Sequence, residues 1–298
     1  MNSFDNPNIP FIDTLDIEIL MHRDVHFSGH FDLMLEYYTQ DGVGAIPDFS
    51  IKRIKKLQLE EQKLGRNLSE VLLPESAQIL VQDAKQMYLD LRSIYESPSP
   101  DPLSMAISDL ILSEEETPTK EIKLLCQYGQ KAISFLILLL KNDKLYQPLY
   151  PGYGRAPIFI AKCLAKIQDV QAIPALFEML GQENFFVDDA LIAALVSFGD
   201  QALDFLLKRL THKPFSKDNE QAAIVIGSFP EEEKIAKICL QVLQDPELKD
   251  HVSFANYLIL GCSALKNTVD KTLFRSLKAG FPGIIQHEME LIAKGWTS

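Results

Sequence analysis

The chain of 298 residues carries 41 acidic against 29 basic side chains, a formal net charge of −12. So acidic a surface repels polyanions and argues against nucleic-acid binding, which needs a basic face to displace counterions. With 47% hydrophobic and 23% charged residues the composition is that of a globular protein. The longest apolar runs, such as residues 133–140, fall far short of the roughly 20 residues that cross a bilayer. The opening segment MNSFDNPNIPF has neither the basic start nor the apolar core of a secretory signal. The expectation is a cytoplasmic protein with no cofactor and no nucleic-acid or membrane partner. Four cysteines (Cys126, Cys163, Cys239, Cys262) sit among apolar neighbours with no C-x-x-C spacing, which reads as buried thiols rather than a zinc or redox site.

Residues 1–15 read as an extended lead, followed by a short helix at Leu15–His22. A clear helix at Phe31–Tyr38 is ended by the Asp41-Gly42-Val43-Gly44 turn. From Ile51 the pattern is amphipathic: Ile51, Ile54 and Leu57 point one way, while Lys52, Arg53, Lys55 and Lys56 form a solvated face. Residues 74–97 form the most regular helix of this part, with Pro74 suited to its first turn. Pro98, Pro100 and Pro102 then interrupt the chain. The expected organisation is a helical N-terminal module over 1–97, a proline-rich linker over 98–102, and a second region over 103–298.

That second region repeats. Four columns align at a shift of 31 residues and again at 31: Ile160/Leu191/Ala222, Ala161/Ile192/Ala223, Leu164/Leu195/Ile226 and Ile167/Phe198/Phe229. Offsets of i, i+1, i+4 and i+7 make one stripe on an α-helix, and helical periods of about 30 to 40 residues are the mark of a solenoid. Weaker copies at Ile122 and Leu258 give five helix pairs. The second helices align as Ala132/Ile133/Leu136/Leu140, Ala172/Ile173/Leu176/Leu180, Ala202/Leu203/Leu206/Leu210 and Ile235/Ala236/Cys239/Leu243. A last helix after Gly280 is expected to cap the stack.

The segments APIFIAKCLAKIQDVQAIPALFEML and ALIAALVSFGDQALDFLLKRL resemble HEAT-like repeats of the phycobilisome-lyase type, over about residues 118–280. The resemblance rests on the small-residue/Leu stripe and on the turns at Gln168-Asp169 and Gly199-Asp200. It implies an all-α fold, an α-α superhelix preceded by the helical module. It also brings in a lyase-like activity as an alternative, although such repeats host many functions. HEAT-repeat hydroxylases resembling it hold iron with several His-Glu pairs; this chain has one, His287-Glu288.

Two places offer more than core. His22, His26 and His30 are spaced by four, so His22 and His26 share a helix face and offer ligands to a metal-dependent enzyme site; the alternative is local hydrogen bonding. The insertion NDKLYQPLYPGYGR (142–155) breaks the repeat rhythm and gathers Tyr146, Tyr150, Tyr153 and Arg155. Tyr and Arg are enriched at binding hot spots; the alternative is that the tyrosines pack back onto a neighbouring repeat. The second helices add Glu178, Lys208 and Arg209. The function read from the sequence is a non-catalytic scaffold or adaptor that binds another protein or peptide.

Overall fold

The computed structural model describes residues 13–182 and 184–296. Among the described residues there are seventeen α-helices, four short 3-10 turns and no strand. By their contacts the residues form two compact units, 1–163 and 164–298. The extended lead expected for residues 1–15 lies mostly outside the described residues.

In the first unit, α1 (Thr14–His26) is the central helix. It packs on α2 (Phe31–Thr39), α3 (Ile51–Leu64), α4 (Leu68–Leu72) and α5 (Glu75–Glu96). Its start is fixed by a capping box: the Asp13 carboxylate accepts from the Asp16 N–H at 3.0 Å, and Asp16 reaches back to Asp13. Arg53, expected on a solvated face, instead braces that box, its Nε donating to Asp16 at 2.6 Å. The helix runs to His26, four residues beyond its expected end. Ile19, Leu20, Met34, Ile54, Leu57 and Leu68 close the core around it.

Arg23 is fully buried in this unit. Its Nε and Nη2 donate to Asp24, its Nη1 to Glu61 at 2.5 Å, and Nη2 also to Asn67 and Ser69, while its plane lies over Phe31. A buried charge is tolerated only when paired and hydrogen-bonded in this way. The proline-rich residues 98–102 lie inside the first unit as a turn: α5 and α6 (Pro102–Ile111) pack on each other, and Tyr95 donates to Asp109 at 2.6 Å. Asp101 accepts from the Ser104 N–H and caps α6, so the prolines and aspartate here specify a helix start. Then α7 (Thr119–Tyr128) and α8 (Gln130–Leu140) form the first repeat pair, turning sharply at Gly129. The insertion follows, and α9 (Ala156–Ile167) carries the chain onward.

The second unit holds α10 (Ala172–Glu178), α11 (Phe185–Ser197), α12 (Asp200–Leu210), α13 (Lys217–Ile226), α14 (Glu233–Leu243), α15 (Val252–Gly261), α16 (Thr268–Leu277) and α17 (Gly283–Gly295). The first helices of successive pairs stack, α11 on α13 and α13 on α15, and α17 closes the end against α15 and α16. Of the twelve positions in the four aligned columns, ten are buried, and all sixteen aligned second-helix positions are buried. Ile167 and Ile192 are the half-exposed pair. Phe198 and Phe229 lie just past their helix ends, where they plug the turn.

One polar residue links a pair to the next. Buried Asn219 of α13 places Nδ2 within hydrogen-bond reach of the carbonyls of Arg209, Leu210 and His212, and so supplies a donor at the end of α12 to Leu210 and His212, while the Arg209 carbonyl also accepts from the His212 N–H. Cys163, Cys239 and Cys262 are buried, Cys126 is half-buried, and none is in a disulfide. Burial pushes the Cys239 thiol up to about 12. No single helix among the described residues is long and apolar enough to cross a membrane.

Candidate interaction surface

The tyrosine-rich insertion is a strap that ties the first repeat pair to the N-terminal helices. Tyr150 is 2% exposed and joins, with Leu149, the core built around α1. Its hydroxyl donates to Asp83 of α5 at 2.6 Å, and Lys144 pairs with the same carboxylate. Those two partners hold the Asp83 carboxyl below its usual range. Tyr146 donates to the Leu140 carbonyl at 2.7 Å, closing the strap on the end of α8. Tyr153 stacks on Tyr37 at 6.1 Å and on His26 at 4.6 Å between ring centroids. A methyl group on Gly44 would overlap the Tyr153 ring, so only glycine lets that ring approach. Arg155 donates to the Glu115 carbonyl at 2.6 Å and lies over Phe159, its Nη1 buried with no hydrogen-bond partner among the described residues. Of the four insertion residues nominated for binding, then, Tyr150 and Tyr153 serve the interior and Tyr146 and Arg155 hold the strap to the backbone.

The histidines belong to the same junction. His26 Nε2 lies 3.1 Å from the Pro148 carbonyl, which only accepts, so Nε2 carries the proton and Nδ1 accepts from the Tyr88 hydroxyl at 3.0 Å. His22 is buried edge-on to Phe49. Desolvation pushes His22 down to about 3 and His26 down to about 4. Both nitrogens of His26 are therefore engaged, and His30 stands exposed at the cap of α2. The helix face that the spacing predicts does bring His22 and His26 together, with centroids 5.2 Å apart. Among the described residues no three His, Cys, Asp or Glu side chains are grouped so as to hold a metal ion.

The second-helix nominees fare differently. Glu178 closes α10 and Lys208 sits near the end of α12, both exposed. Arg209 lies over two rings, 5.2 Å from the centroid of Phe205 and 5.9 Å from that of Phe177, which themselves meet edge to face. Its side chain keeps 42% of its surface open, and its ion pair to Asp218 is long at 3.4 Å. A cleft of about 260 Å³ opens beside it, lined by Arg209, His212, Pro214, Ser216, Asp218 and Asn219. The two rings flank the guanidinium, whose side chain keeps part of its surface open, an arrangement suited to a partner's carboxylate.

Sequence reasoning missed the aromatic support, because Phe177 and Phe205 come from different repeats at unaligned positions. It also missed α8, where Phe135 and Leu138 are 52% and 70% exposed on the face opposite the core stripe. The run ISFLILLL carried that signal, having more apolar residues than one buried face requires.

A sequence-family model described as HEAT repeats matches residues 155–227, which spans α9 through α13. The rest of the chain is unassigned by it. No curated protein and no solved structure matches the chain.

Proposed function

We propose that this chain is a non-catalytic scaffold or adaptor, acting in the cytoplasm, whose second helices bind a peptide segment of another protein. HEAT repeats commonly mediate protein interactions, and the matched segment contains α10 and α12, which carry Glu178, Phe205, Lys208 and Arg209. The observation that carries the reading is Arg209, flanked by the rings of Phe177 and Phe205 yet partly open to solvent beside a cleft. The partner segment should present an acidic side chain to Lys208 and Arg209 and an apolar one to the Phe205 ring. We extend HEAT-type pairing to residues 118–280, because the buried columns continue through α7, α8 and α13 to α15.

The net charge of −12 supports a protein partner over a polyanion. The test is affinity capture from the native cell with the full chain as bait, followed by direct binding of each captured protein. A specific partner should bind wild type and lose at least about tenfold in affinity on Arg209→Ala. A partner that binds both alike would remove this face from the account.

A further inference from the structure

A second surface lies on the first helices, where α13 presents Lys217 and Glu220 on either side of the Asp218 that meets Arg209. Between α11 and α13 runs a groove of about 360 Å³, floored by Leu180, Ile192, Ile224 and Val225. Ile192 belongs to an aligned core column, yet it is half-exposed because the groove is left unfilled. At the start of α11 stand Phe185 and Phe186, 71% and 73% exposed and in edge-to-face contact at 5.9 Å. Phe185, Asp188 and Ile192 are spaced i, i+3 and i+7, so they share one face of α11. Phe185 therefore stands at the rim of the very groove that Asp188 and Ile192 line.

Phe185 thus shares its face of α11 with the unfilled apolar groove, and Phe186 packs against it from the adjoining face. The rim also carries both signs of charge, with Lys217 and Glu220 one turn apart on α13. A surface holding both knob and hole, and both cation and anion, is complementary to itself under a two-fold rotation. We infer that two copies of this chain associate through this face, each inserting Phe185 and Phe186 into the other's α11–α13 groove. In the pair, burying them removes the largest exposed apolar side chains of the second unit from water.

Sedimentation velocity of the full chain over micromolar concentrations tests the inference. Wild type should shift toward twice the chain mass as concentration rises. Phe185→Ser/Phe186→Ser should weaken association at least about tenfold with helix content unchanged, because both rings are solvent-exposed and hold no part of the core. Lys217→Glu should weaken it through like-charge contacts with the second copy, and adding Glu220→Lys should restore it. Single-chain mass at every concentration, a phenylalanine variant that associates like wild type, or a charge-swapped double variant no tighter than Lys217→Glu would each overturn it.

Discussion

His26 is neutral in the folded chain because a charged ring in that junction would lose its hydration with no carboxylate to meet it. Its neighbours are the Tyr88 hydroxyl, the Pro148 carbonyl and the rings of His22 and Tyr153. The folded values of about 4 for His26 and about 3 for His22 lie below the ordinary histidine value of 6.5. Between these limits the unfolded chain binds more protons than the folded one, so stability falls with pH. It should be complete above pH 6.5 and decline as pH drops through 6.5 toward about 4, by on the order of 3 kcal/mol for His26 alone. Urea unfolding at a series of pH values checks this, and His26→Gln should flatten the decline. An equally steep decline in that variant would mean that other groups carry it. The four-residue spacing of the histidines was legible in the sequence and correctly put two of them on one face. Their partners, Tyr88 and Pro148, come from distant segments with no pattern that announces them.

Elements were read well where burial is periodic and poorly where one residue decides. The columns of α9, α11 and α13 were legible because a 31-residue period forces the same face inward each time. The prolines at 98–102 were legible as punctuation, but punctuation marks a helix start as readily as a domain boundary. The strap was visible as a break in rhythm, and its inward-facing tyrosines were not, since a tyrosine fits a core and a binding loop equally well. Its geometry makes a sharp prediction. Gly152 has a positive φ of 84°, and a methyl group there would sit 2.6 Å from the Ile111 carbonyl oxygen. Gly152→Ala should therefore destabilise the first unit more than Tyr150→Phe, which removes one hydrogen bond to Asp83 at about 1 kcal/mol. Thermal unfolding of both variants ranks them, and the reverse order would contradict the strap. In the second unit, Asn219→Ala leaves the Leu210 and His212 carbonyls without their side-chain donor and should cost about 1–3 kcal/mol. Denaturant midpoints should show it, and an unchanged midpoint would mean water replaces the amide.

For the whole molecule, the residues that build the repeats are largely not the ones on which the proposed binding rests. The aligned columns build the repeats, and ten of their twelve positions are buried. The binding proposed above rests on side chains between the columns, where neighbouring repeats supply partners that no single repeat displays. Arg209 was nominated from its charge and its helix; its support by Phe177 and Phe205 appears only when α10 and α12 are set side by side. The same holds for Phe185 and Phe186, two exposed rings whose meaning depends on the groove next to them. The most direct test of the central claim is binding of a captured partner to the full chain, comparing wild type with Lys208→Glu/Arg209→Glu and with Phe185→Ser/Phe186→Ser. The account predicts that the charge-reversed variant loses the partner while keeping its melting temperature, and that the phenylalanine variant keeps it. Undiminished binding by the charge-reversed variant would contradict the account.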